Sequence, residues 1–196
     1  MEWESWLLLG IGGYLLIVTV LNFLFPEPHL DWSKIDLENI TMPKGFVWGV
    51  ATASHQIEGG NTNNWTQFEQ RENKEQSGKA CDHWNLWTKD HELLTQLGVN
   101  SYRFSIEWSR IEPIQGEWNE AAIEVYSQMI DSLIARGIEP MITLHHFSHP
   151  VWFEELGGFY NRENIVHFQN YCRKLFPYFS SRVTKWCTIN EPDVFS

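Results

Sequence analysis

The sequence predicts an α/β chain: one membrane-spanning helix followed by the first four strands of a (β/α)8 barrel. Three observations carry this. Four short runs rich in aromatic and β-branched residues alternate with amphipathic stretches. The polar residues associated with each run gather at its carboxyl end. A twenty-residue stretch near the amino terminus carries no charge at all.

That stretch, residues 6–25 (WLLLGIGGYLLIVTVLNFLF), matches the thickness of a bilayer's hydrocarbon core at about 1.5 Å per helical residue. Trp3 and Trp6 suit the membrane interface, and Pro26, Glu27 and Pro28 end the helix. A cleaved signal peptide would want a basic start, whereas this chain opens Met1-Glu2-Trp3-Glu4. The expectation is a single-pass anchor. Lys34 and Lys44 follow it and no Lys or Arg precedes it, which leans the body toward the cytoplasmic side. Residues 26–42 form a polar linker closed by Pro43, and residues 43–196 form the body. Sequons at Asn39 and Asn64 would matter only for a lumenal body in a eukaryote.

In the body, strands are expected over residues 46–53 (FVWGVATA), 101–108 (SYRFSIEW), 139–146 (EPMITLHH) and 185–191 (KWCTINE). The clearest helix covers 121–136, where Ala122, Val125, Tyr126, Met129, Ile130, Leu133 and Ile134 recur on one face. Asn119 is placed to cap it and Gly137 to end it. A second helix covers 83–97 and closes with Gly98. A third covers 162–181, with Pro177 expected to interrupt or kink it. Strands apolar on both faces, alternating with amphipathic helices, mean a parallel sheet with helical crossovers.

Such a sheet is either doubly wound or part of a barrel. Gln56 and Glu58 follow the first strand, Glu107 and Arg110 the second, His145 and His146 the third, and Asn190 and Glu191 the fourth. Barrel enzymes assemble their sites at this carboxyl end. No G-x-G-x-x-G or phosphate-binding loop follows the first strand, which weakens the nucleotide-binding alternative. A formal charge of −11 and a pI near 5.1 argue against a nucleic-acid partner, since phosphate binding needs clustered Lys and Arg. Cys81, Cys172 and Cys187 are odd in number and form no C-x-x-C, so neither a disulfide framework nor a zinc site is indicated. They are expected to be reduced, mostly buried thiols.

FVWGVATASHQIEGG, SYRFSIEWSRIEPIQGEWN, PMITLHHFSHPVWF and TINEP occur in the order and approximate spacing found in glycoside hydrolase family 1. The chain resembles this family of β-glucosidases and β-galactosidases over about residues 43–196. The resemblance implies a (β/α)8 barrel, retaining hydrolysis of β-glycosides in carbohydrate metabolism, and no metal or organic cofactor. It also implies roles. Glu191 matches the acid/base, whose pKa must be raised by burial and a neighbouring carboxylate. Asn190 would hold the sugar's 2-hydroxyl, and Gln56 with His146 would bind the glycone. Arg103 matches the basic residue beneath the nucleophile, where it keeps that carboxylate ionised.

Other residues read as structural. Alternation on a strand sends His145 to the face opposite His146, as a packing residue behind the barrel wall, and makes the two unfit as a metal pair. Glu107 stands where many family members carry an uncharged residue and is expected to form an ion pair with an arginine. None of the Trp residues is nominated as a sugar platform.

There are departures. Where the family often reads H-W-D-L-P, this chain has His146-Phe147-Ser148-His149-Pro150, and Phe147 lacks an indole N–H, leaving sugar preference open. The family's nucleophile, a Glu within a T-E-N-G-like run of the second half, has no counterpart. The chain alone is therefore expected to be inactive, and to await a carboxyl-terminal half or self-associate through exposed strand edges. The alternative is a membrane-tethered, non-catalytic module that holds sugar or a partner. A third possibility is an inverting or unrelated barrel glycosidase sharing N-E-P.

Overall fold

The computed structural model describes residues 3–27, 31–34, 36 and 38–195. The chain divides into two compact units, Met1–Lys44 and Gly45–Ser196.

In the first unit, α1 (Trp3–Leu24) is a 22-residue helix with no buried residue. A helix that packs on a protein core is apolar along one stripe, whereas this one is apolar nearly all round. It is long and apolar enough to cross a membrane. A last ladder bond runs from Phe25 N–H to the Leu21 carbonyl, after which Pro26 has no N–H to offer. Pro28, also expected to end the helix, lies outside the described residues. A 3-10 turn follows at Trp32–Lys34.

In the second unit the elements run β1 (Gly49–Ala51), α2 (Ser54–Ile57), α3 (Asn64–Arg71), α4 (His83–Gln96), β2 (Ser101–Ser105), α5 (Trp108–Ile111), α6 (Glu120–Ala135), β3 (Glu139–His145), α7 (Val151–Glu155), α8 (Ile165–Phe179), β4 (Lys185–Ile189) and α9 (Pro192–Phe195). The four strands pair in chain order, β1-β2-β3-β4, and every pair is parallel. A doubly wound sheet reverses its strand order at a switch point. This one runs all four strands in chain order without a reversal, the order of a partial barrel.

The core lies between the sheet and the helices. Trp108, Tyr126, Ile130, Leu133, Ile142, Phe153, Tyr171 and Phe179 are fully buried, and the Trp108 ring stacks on Tyr171 with centroids 4.9 Å apart. The apolar stripe of α6 supplies much of this core. Its ends are as expected: Asn119 Oδ1 accepts from Ala122 N–H at 3.0 Å, and Gly137 (φ +72°) turns the chain away. The α4 helix likewise stops before Gly98 at φ +71°.

Several expectations need correction. Only residues 49–51 of the first run pair as a strand; Phe46, Val47 and Trp48 are exposed. The apolar run of β4 does not make a strand buried on both faces. β4 ends the sheet with β3 as its one strand neighbour among the described residues, and Lys185 and Thr188 are exposed. Pro177 does not interrupt α8, which runs on past it to Phe179. Arg162–Asn164 form a 3-10 turn ahead of that helix. Cys81 is exposed and Cys172 and Cys187 are half-buried, so the thiols are free but not mostly buried. α3 was not expected. Its signal was the capping box of Asn63 and Thr66, each side chain bonding the other's backbone N–H.

Candidate active site

The carboxyl ends of the strands bring the nominated residues together. Asn190 extends the β3–β4 ladder by one rung, its N–H donating to the His145 carbonyl at 2.9 Å. Glu191 then takes a left-handed backbone at φ +44°, and Phe147, after β3, does the same at φ +64°. Non-glycine residues hold such angles at a cost of about 1–3 kcal/mol, a cost that clusters at functional sites. The Glu191 side chain is exposed. The burial expected around this acid is therefore not supplied by the described residues.

Arg103, on β2, donates from Nη1 to Asn190 Oδ1 at 3.2 Å. A guanidinium can only donate, so this bond assigns the amide's orientation and commits Oδ1, leaving the amide NH2 of Asn190 for another acceptor. His146 feels both neighbours. Burial first, then the charge of Arg103, pushes its pKa down, while Glu191 pulls it up. Its Nδ1 is buried without a hydrogen-bond partner.

His146 and Gln56 line one cleft of about 130 Å³ with Ala53, His55, Trp65 and Phe147. Trp65 was not nominated from sequence, because aromatic residues usually pack in a core and no Trp was singled out as a platform. Its helix, α3, clamps the loop after β3. Asn64 Nδ2 and Trp65 Nε1 both donate to the Phe147 carbonyl, at 3.1 and 3.0 Å. Asn64 Oδ1 accepts from His149 N–H at 2.9 Å, and Asn64 N–H donates to the His149 carbonyl at 3.1 Å. Asn64 thus pairs with His149 in both directions.

Behind the cleft lies a buried polar network. Glu58 accepts from Tyr126 Oη at 2.6 Å and Arg110 Nε at 3.1 Å. Burial pushes the Glu58 carboxyl up to about 7, against the opposing pull of Arg110. The Arg110 guanidinium lies 3.9 Å over the Trp84 ring and also bonds the Gly59 carbonyl and Asn61. A Cβ at Gly59 (φ +76°) would meet the Lys79 carbonyl oxygen at 2.0 Å, so only glycine fits this close approach.

The ion pair expected of Glu107 is thus made by Glu58. Glu107 is fully buried, and its described partners are hydroxyls and an N–H: Ser54, Ser109 and Ser148. His145 is fully buried, as strand alternation requires. Its Nε2 lies 3.2 Å from His149 Nδ1, and His149 Nε2 lies 2.7 Å from Glu154 Oε2. Burial pushes His145 down to about 3. Among the described residues no cluster of three or more His, Cys, Asp or Glu could hold a metal ion.

Comparison with known proteins agrees in extent with this body. Residues 38–196 match the model of Glycosyl hydrolase family 1. Beta-glucosidase A of Thermotoga maritima is 42% identical over 161 residues, covering 76% of this chain and 36% of the relative. The Cytosolic beta-glucosidase of Homo sapiens is 38% identical over 170 residues, covering 80% of this chain and 36% of the relative. Among solved structures, a beta-glycosidase from Pyrococcus horikoshii superposes with a TM-score of 0.75 at 47% identity, covering 79% of this chain and 37% of its own. The Thermotoga maritima beta-glucosidase in complex with castanospermine gives 0.75 at 41%, covering 79% and 38%. The chain spans less than two-fifths of the length of these relatives. With strand order, site placement and family match falling on the same segment, the chain belongs to glycosyl hydrolase family 1.

Proposed function

We propose that the body carries the acid/base half of a retaining β-glycosidase site. Glu191 protonates the leaving glycosidic oxygen and later takes a proton from the water that completes the cycle. Asn190 donates an amide N–H to the sugar's 2-hydroxyl, a contact that strengthens as the ring approaches an oxocarbenium ion. Gln56 and His146 hold the glycone hydroxyls. His146 does so as a neutral ring, which both donates and accepts. Arg103 sits beside Asn190, where its charge keeps an attacking carboxylate ionised. One observation carries this: the Arg103–Asn190 bond, with Glu191 next in the chain and its charge felt at His146.

The attacking carboxylate would come from residues other than those described. Glu58 is held by Arg110 and Tyr126, and Glu107 by three serines, so neither is free to attack an anomeric carbon. A further strand, from a carboxyl-terminal half of the same fold, pairing with β4 on the side that no described strand covers, would bring it. The 196 residues alone are expected not to hydrolyse aryl β-glycosides. Turnover of 4-nitrophenyl β-glucoside by the purified chain, abolished in Glu191→Gln, would overturn this. Calorimetry with deoxynojirimycin tests whether the half-site binds a glycone at all.

We further infer that α1 anchors the body to a bilayer as a single span. Its 22 residues give about 33 Å of helix, enough for a hydrocarbon core of about 30 Å. Lys34 and Lys44 after the span favour the cytoplasmic face for the body.

A further inference from the structure

One carboxylate oxygen joins the two loops that carry Gln56 and His146. Glu107 Oε2 accepts from Ser54 Oγ at 3.0 Å and from Ser148 Oγ at 2.8 Å. Ser54 lies two residues before Gln56, and Ser148 two residues after His146. The other oxygen, Oε1, accepts from the Ser109 hydroxyl at 2.7 Å and from its N–H at 3.4 Å. The hub is itself tied to the wall of the body. Glu107 N–H donates to Tyr126 Oη at 3.0 Å, and Tyr126 is fully buried on α6.

Packing alone does not explain this carboxylate. A buried acid without a cation partner costs several kcal/mol unless donors satisfy it, and an apolar residue would fill the space at no such cost. Here the donors come from three separate segments, the loops after β1, β2 and β3, so what the group contributes is their relative placement. The sequence has a matching irregularity. The resemblance leads to an uncharged residue at 107 and an acid at 148; this chain has Glu107 and Ser148.

We propose that Glu107 is a positioning residue for sugar binding: by receiving Ser54 and Ser148 on one oxygen, it sets the width of the cleft between Gln56 and His146. This rests on those two residues being the glycone pair. Ser148 adjoins Phe147, whose carbonyl accepts from Trp65 Nε1, and Trp65 forms another wall of the same cleft. Loss of the Ser148 bond therefore loosens the latch that holds Trp65.

The test uses the full, 15N-labelled chain in detergent, with the Trp65 indole N–H and the His146 ring as reporters. The Trp108 indole, bonded to Glu112 in the core, serves as control. Ser148→Ala and Glu107→Ser are each expected to speed Trp65 indole exchange about tenfold, the scale of one lost hydrogen bond, and to shift the His146 signals while leaving Trp108 unchanged. The exchanged pair Glu107→Ser with Ser148→Asp is expected to return Trp65 exchange to near the wild-type rate. Singles that leave Trp65 and His146 as in wild type, or a double variant equal to the sum of the singles, would overturn the proposal. Deoxynojirimycin separates the two levels. If the wild-type chain does not bind it, the sugar assignment fails while the Trp65 readout still decides the positioning role. If it binds, Ser148→Ala is expected to weaken it about tenfold, and unchanged affinity would sink the positioning role.

Discussion

Arg103 and Asn190 are 87 residues apart in sequence and joined side chain to side chain at 3.2 Å, one on β2 and the other just past β4. The bond reaches over β3, the strand between them in the sheet, so it registers the last strand against the second. Arg103→Met is expected to lower stability by about 1 kcal/mol, below the full value of a charged hydrogen bond because the guanidinium is partly solvated. A urea midpoint equal to wild type would show that the bond contributes nothing.

Glu58 gives the body a distinctive pH response. Its carboxyl titrates near 7 in the fold, against about 4.3 in an unfolded chain. A raised acid pKa contributes stability that is full below about pH 4.3 and lost as pH rises through about 7. His91 and His145, lowered by burial to about 4 and about 3, act the other way. Their contributions are present above about pH 6.5 and lost as pH falls through those values. Glu58→Gln removes only the first effect. The melting temperature of this variant, relative to wild type, is therefore expected to rise from about pH 5 to about pH 8. Parallel melting curves with a constant offset would mean that the buried carboxyl does not titrate there.

Trp108 and Trp65 separate core from cleft. Trp108→Ala removes a fully buried ring stacked on Tyr171 and leaves Glu112 without its indole donor, so a loss of about 3–5 kcal/mol is expected. The exposed Trp65 should cost only about 1 kcal/mol on truncation to Ala while opening the cleft beside His146. Chemical denaturation of the two variants side by side checks the ranking.

Membrane attachment is expected to depend on the middle of α1. Leu15→Arg places a charge near the centre of the span, a change of about 3 kcal/mol on insertion scales. The wild-type chain should stay in the pellet after alkaline carbonate extraction of membranes, and the variant should move toward the supernatant. Wild-type chain released by carbonate would rule out the anchor.

Periodicity made much of the fold legible. The α6 stripe, its Asn119 cap and its Gly137 end are short-range properties that the residues state directly. Relations between segments were less accessible. Nothing in the spacing of Arg110 tells whether it meets Glu58 or Glu107, since both follow strands and the choice depends on how three loops fold together. The exposure of β4 was hidden because its apolar residues suit a strand flanked on both sides, whereas their burial here depends on the strands beside them. α3 escaped notice because Trp65 and Phe68 are its only large apolar side chains, and both are exposed. Trp65 was passed over for another reason, that an aromatic ring is by default a packing residue. The residues named for the site do converge, yet the solvent exposure of Glu191 could not be read from a run as apolar as residues 186–189.

Asn64 begins an Asn-Trp-Thr sequon, and its Nδ2 donates one of its two hydrogens to the Phe147 carbonyl. N-glycosylation would claim that same nitrogen. A glycan takes one of the two Nδ2 hydrogens and leaves the other, so the Phe147 bond can survive the modification, with the glycan held at the loop after β3. Asn39, exposed in the segment ahead of the body, also donates from Nδ2, to Asp36 Oδ2 at 2.6 Å. At both sequons, then, the amide that a sugar transferase would modify already holds a bond, one within the segment ahead of the body and one between α3 and the loop after β3.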